Sequence, residues 1–96
     1  MTHYAILRKG TYWYPYTSKK ITEMYLSRGE VAVEVSLKES DAGSYWGWID
    51  PKGDHYSMVY PDKKLFNMCF PYGPEIEVSK SRGRIVRLNI TPVEVK

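Results

Sequence analysis

The sequence is short of the residues on which most enzyme chemistry rests. It holds one cysteine, Cys69, and two histidines, His3 and His55. A single cysteine forms no internal disulfide, which argues against the small secreted domains stapled by paired thiols. Neither histidine has a second His or a Cys at ligand spacing, so a zinc site has no support. His3 is expected in a fraying terminus, and His55 on a strand surface just after a turn. Cys69 lies among Leu65, Phe66, Met68 and Phe70 and reads as a small, inert core residue.

Other signatures are missing as well. There is no Gly-x-Ser-x-Gly and no pair of helix-borne carboxylates. The glycines at 10, 29, 43, 47, 53, 73 and 83 form neither Gly-x-Gly-x-x-Gly nor the Gly-Lys-Ser/Thr end of a phosphate loop. No apolar stretch approaches the roughly 20 residues that span a bilayer. The start Met-Thr-His-Tyr-Ala has no basic region followed by an apolar run, so a secretory signal is not expected. Together these absences predict a cytoplasmic, non-enzymatic protein that works by binding, without metal or cofactor. No internal repeat or low-complexity tract is evident.

What is present is rich in rings. The 96 residues include nine Tyr and three Trp but only two Phe. Tyr and Trp carry a polar tip on an apolar body, which suits half-exposed surfaces and interfaces. Hydrophobic residues are 43% and charged residues 26% of the chain, a composition that folds. The length allows one domain, residues 1–96. Charge is uneven: Lys80, Arg82, Arg84, Arg87 and Lys96 against Glu94 put the basic character at the C-terminal end.

Periodicity predicts an α+β fold. A small, mostly antiparallel sheet, curling towards a barrel, carries one main helix over about 18–28 and a short helix over about 62–70. Strands are expected at Tyr4–Arg8, Thr11–Tyr16, Glu30–Lys38, Tyr45–Ile49, His55–Tyr60, Glu75–Ser79 and Ile85–Ile90, with Val93–Val95 closing the chain. In Thr11–Tyr16, Tyr12, Tyr14 and Tyr16 should share one face and Trp13 the other, with Pro15 marking an edge. The main helix should be capped by Thr17 or Ser18 and ended by Gly29, with Ile21, Met24, Tyr25 and Arg28 forming its apolar-spaced face. Asp62 should cap the second helix. Tight turns are expected at Lys9-Gly10, 50–54 and 81–84.

Two surfaces are candidates for binding. Trp46 and Trp48 project from one strand face, and Tyr56, Met58 and Tyr60 have matching parity on the next strand. They would form an aromatic patch, unless it is the sheet face buried under the helix at 18–28. Tyr14 and Tyr16 add rings elsewhere. The second surface is a basic hairpin, Lys80, Arg82, Arg84 and Arg87, whose arginines suit bidentate contact with phosphate or carboxylate. Its competing reading is a solvated tip. Lys19-Lys20 and Lys63-Lys64 begin helices, where cations oppose the dipole.

In size and lack of motif the chain resembles the small accessory proteins of phages and mobile elements, some of which block host assemblies such as CRISPR effectors. The resemblance implies an anti-CRISPR-type viral inhibitor, a protein-binding module that docks on a larger protein or nucleoprotein. Its mild basicity points to a steric plug and away from acidic mimicry of DNA. The alternative is a single-stranded nucleic-acid-binding protein, with rings stacking on bases and the Lys80–Arg87 segment holding phosphates. A homodimer formed by edge pairing at Glu75–Val78 or at the last strand is a further arrangement the pattern allows.

Overall fold

The computed structural model describes residues 2–51 and 55–93, with the side chain of His55 outside that description. The fold is α+β. Strands β1 (His3–Arg8), β2 (Thr11–Tyr16), β3 (Val31–Glu39), β4 (Tyr45–Asp50), β5 (His55–Tyr60) and β6 (Arg84–Pro92) are joined by helices α1 (Lys19–Met24), α2 (Lys63–Met68) and α3 (Pro74–Lys80). The strand order is β2-β1-β3-β6-β4-β5, which puts Pro15 on an edge strand as the sequence predicts. Residues 52–54 of the turn expected at 50–54, the end of the Val93–Val95 strand and the surface placement of His55 fall outside the described residues. The chain divides into two compact units, Met1–Lys38 with Ile90–Lys96, and Glu39–Asn89.

In the first unit, Arg8 pairs with Thr11 across a two-residue turn. Lys9 and Gly10 have φ of 49° and 80°, the positive pair that a tight hairpin of this twist requires. Beyond it β2 carries a bulge. Trp13 lies opposite Ile6 and Tyr16 opposite Tyr4, so β2 spends one residue more than β1. Tyr14 takes φ of 49° there. The bulge flips the alternation, so Tyr16 shares a face with Trp13, whereas Tyr12 sits opposite Leu7 on the other. The single face expected for Tyr12, Tyr14 and Tyr16 does not form. β1 is covered on both sides: Ala5 and Ile6 are buried, and so is His3, which pairs with Val35 and is no frayed end.

Helix α1 starts where the sequence places it, with the Ser18 Oγ accepting from the Ile21 amide at 3.2 Å. It stops at Met24, well short of Arg28, and Gly29 serves the turn before β3 at φ 85°. Its buried residue is Thr22, whose hydroxyl lies 3.2 Å from the Tyr4 carbonyl and 3.0 Å from the Ser18 carbonyl. The apolar stripe therefore faces outward. Ile21 is 44% exposed, Met24 72% and Tyr25 60%.

The second unit repeats this plan. Trp46 lies opposite Tyr60 and Trp48 opposite Ser57, so β5 has the same one-residue bulge, with Met58 at φ 50°. β4 pairs β6 as β1 pairs β3: Gly47 meets Val86 as Ala5 meets Val33. Both bulges therefore face a small residue, and a Cβ on Gly47 would come within 2.9 Å of Val59 Cγ2. The helix segments Tyr16-Thr-Ser-Lys-Lys-Ile-Thr-Glu-Met24 and Tyr60-Pro-Asp-Lys-Lys-Leu-Phe-Asn-Met68 match position by position. The caps Ser18 and Asp62 correspond, as do buried Thr22 and Phe66, and exposed Met24 and Met68. A repeat that no motif search of the sequence reveals is thus carried by register, caps and burial.

The units differ after the helix. Fifteen positions separate Tyr16 from Val31 and twenty-four separate the equivalent Tyr60 and Arg84, so the second connection is nine residues longer. The additional length contains α3, where the alternating Glu-Ile-Glu-Val suggested a strand. Pro74 at the first position and Glu75 and Glu77 in the first turn make it a helix. Pro74 and Val78, four apart, are its buried side. With Phe66 and Phe70, Val78 forms a core against which Trp46, Trp48, Tyr60, Cys69 and Ile85 pack. Glu75–Val78 is accordingly no free edge for a dimer.

Candidate functional site

The segment expected as a basic hairpin is a helix end running into a strand. The Gly83 amide bonds the Val78 carbonyl at 3.0 Å and the Arg82 amide bonds that of Ser79 at 2.9 Å, closing α3. Arg82 occupies the left-handed position of this cap at φ 59°, and Gly83 is pressed against Trp48, with space for no Cβ. Lys80 and Arg82 are exposed on this end.

The two arginines of β6 are engaged elsewhere. Arg84 makes a forked pair with Glu39, at 2.7 and 3.1 Å, and the Tyr56 hydroxyl reaches the same carboxylate at 3.3 Å. The Arg84 hydrogen bonds hold the Glu39 carboxyl below the ordinary carboxylate range. Arg87 donates its Nε to the Gly43 carbonyl at 2.9 Å, and its guanidinium lies 5.0 Å from the centre of the Trp46 ring. Lys63 approaches that ring at 5.2 Å. Gly43 is required in this turn, because a Cβ would meet the Leu88 backbone at 2.6 Å.

These residues border an open cleft of about 320 Å³ lined by Glu39, Ser40, Asp41, Trp46 and the Arg84–Arg87 stretch of β6. Glu39 and Asp41 balance Arg84 and Arg87, so the cleft is not the uniformly positive groove that draws a nucleic-acid backbone.

The expected aromatic patch does not assemble. The β5 bulge puts Tyr56 opposite Ile49, on the face away from Trp46 and Trp48. Trp46, Trp48 and Tyr60 pack on the Phe66–Phe70–Val78 core, so the covering helices are α2 and α3 and not the helix at 18–28. Among the described residues Trp48 Nε1 is buried and has no hydrogen-bond partner, so the polar tip of this ring is not presented to solvent. Cys69 is half-buried beside this core, its thiol 3.7 Å from the Leu65 carbonyl.

In the first unit Tyr14 and Tyr16 do lie near the surface. Tyr14 tilts against Trp13 at 5.7 Å, and Tyr16 stacks on Tyr25 with centroids 5.8 Å apart. Burial, with Tyr25 and Tyr14 nearby, pushes the Tyr16 hydroxyl above the usual tyrosine value. Arg8 pairs with Glu30, lowering that carboxyl, and lies over Trp13 at 5.7 Å.

Sequence reasoning passed over the outward face of α1, because an apolar set at helical spacing normally turns inward. The one hint was the Lys19-Lys20 pair, set against the helix dipole at a start with no acidic residue. Met68, Tyr72 and Ile76 are also exposed, on the second unit; Ile76 was expected on a strand and Tyr72 in a loop. Among the described residues, no helix is long and apolar enough to cross a membrane. No protein-family model, curated protein or solved structure matches the chain.

Proposed function

We propose that this chain is a non-enzymatic protein-binding module that docks on a larger cytoplasmic assembly through the outer face of α1. The carrying observation is that Ile21, Met24 and Tyr25 lie outside, beside the stacked ring of Tyr16. Contiguous apolar and aromatic surface on a small domain favours a protein interface. Trp46 and Trp48 pass from anchors to core in this reading. The finer version is an inhibitor that occludes its host assembly sterically, in the manner of phage accessory proteins.

The nucleic-acid reading has less support, since Arg84 and Arg87 are occupied by Glu39, Gly43 and Trp46. Affinity capture separates the two. The wild-type protein should retain a protein partner that Ile21→Glu and Tyr25→Glu lose, with circular dichroism unchanged. Capture that survives both substitutions removes the α1 face from the reading. Binding of a labelled single strand that falls steeply with salt, with no protein captured, overturns the reading itself.

A further inference from the structure

The internal repeat says what the α1 face is built to receive. In the second unit, the extra nine residues bring α3, whose Val78 packs on Phe66 and Phe70 of the α2 segment. Among the described residues the first unit has no such helix. Its counterparts of Leu65 and Cys69 are Ile21 and Tyr25, and both are exposed where Leu65 and Cys69 are half-buried. Met24 and Met68, by contrast, are exposed to the same degree, 72% and 73%. Glu23 and Leu26 differ as well, being exposed and half-buried where Asn67 and Phe70 are half-buried and buried, so beyond its first turn the second segment is the more covered of the two.

Charge narrows the occupant. Around Ile21 and Tyr25 stand Lys19, Lys20 and Arg28, all exposed, against the single Glu23. None of these three cations has an ion pair among the described residues. Two lysines in the first turn of α1 oppose its dipole, a local cost that an acidic neighbour offsets. In α3 the first turn carries Glu75 and Glu77.

We infer that the outer face of α1, with Ile21 and Tyr25 at its centre and Lys19, Lys20 and Arg28 at its rim, binds a short amphipathic helix of a partner protein with acidic residues in its first turn. That helix would cover in trans the counterparts of Leu65 and Cys69, which are half-buried in the second unit, where Cys69 packs against the Phe66–Phe70–Val78 core. The inference rests on the protein-binding reading and adds the class of partner. Two apolar residues four apart on the incoming helix would bury against Ile21 and Tyr25, as Pro74 and Val78 are buried on α3.

The probe is a stapled helical peptide of about three turns, with two Glu in its first turn and apolar residues at i and i+4, titrated into the isotope-labelled full chain. Saturable amide shifts centred on Ile21 and Tyr25 are expected. Binding should weaken about tenfold when Lys replaces both Glu, and should vanish in Tyr25→Glu. If Tyr25→Glu disturbs the Tyr16 stack and the fold, Ile21→Glu replaces it. Equal affinity for the lysine peptide, shifts centred on α2 and α3, or no saturation at millimolar peptide would overturn the inference. Should the peptide fail while Ile21→Glu still releases the captured partner, the docking face stands and only the helix class falls. Should neither experiment respond to Ile21 or Tyr25, the protein-binding role of this face falls with it.

Discussion

The two units are built to one plan and finished in two ways. Each is a hairpin with a bulged second strand, a capped six-residue helix opening on two lysines, and a return strand. At the matching buried position the first unit has Thr22, held by hydrogen bonds to Tyr4 and Ser18, and the second has Phe66, held by packing. A small hydroxyl fixes a helix on a hairpin without needing a thick core beneath it. A phenylalanine at the same point needs covering, and α3 provides the cover. The unit with the smaller core thus keeps an open helix face, whereas the unit with the larger core spends its extra residues on closure.

Truncation at that shared position should give the largest contrast. Phe66→Ala is expected to cost about 3–5 kcal/mol, because it empties the centre of an aromatic core. Thr22→Val keeps the volume and removes the hydroxyl, for a loss of about 1 kcal/mol. Urea denaturation with an unchanged slope checks both. Equal losses would mean that the two helices are held alike.

That contrast also shows what the sequence made legible. The alternation of Val31 to Leu37 identified β3, the run Ile85 to Ile90 identified the centre of β6, and Ser18 and Asp62 announced both helix starts. The facing of side chains was less accessible. Tyr14 and Met58 adopt positive φ without being glycine, so nothing in the residue types signals the bulges that reverse parity beyond them. Ile21, Met24 and Tyr25 have the spacing of a buried stripe, but the helix is held through Thr22. In α3 the Glu-Ile-Glu-Val alternation concealed a helix that Pro74 and the two acids encode. The repeat itself stayed hidden because few matching positions are identical, among them Tyr16 and Tyr60, Lys19-Lys20 and Lys63-Lys64, and Met24 and Met68.

Glycines offer the next contrast. A Cβ at Gly83 would lie 2.6 Å from both the Ile49 carbonyl and the Trp48 ring, so Gly83→Ala should cost about 1–3 kcal/mol and shift Trp fluorescence. Gly10 has φ of 80° in open space, so Gly10→Ala in the first unit should cost only about 1 kcal/mol, with fluorescence unchanged. A smaller effect of opposite sign is expected at Arg82. Arg82→Gly relieves its left-handed backbone and should stabilise by about 0.5–1 kcal/mol, after the extra freedom of unfolded glycine is counted. A higher midpoint in the same urea titration is the check.

The smallest contrast is in acid. Arg8 lowers the Glu30 carboxyl and Arg84 lowers that of Glu39. Each carboxylate therefore stabilises the fold above its ordinary range, and the contribution is lost as pH falls through the depressed folded value. The Glu30 side chain is 8% exposed and that of Glu39 38%, so solvent screens the second pair more. Glu30→Gln should flatten the acid limb of the stability profile more than Glu39→Gln does. The reverse order would place the stronger pair in the second unit.

The matched methionines test the central claim most directly. Met24 and Met68 occupy equivalent helix positions at nearly equal exposure, so neither Met24→Glu nor Met68→Glu should disturb folding. Partner capture by the two variants is then compared with that of the wild type. The account predicts that Met24→Glu weakens capture and Met68→Glu leaves it intact; equal capture by both, or loss confined to Met68→Glu, would contradict it.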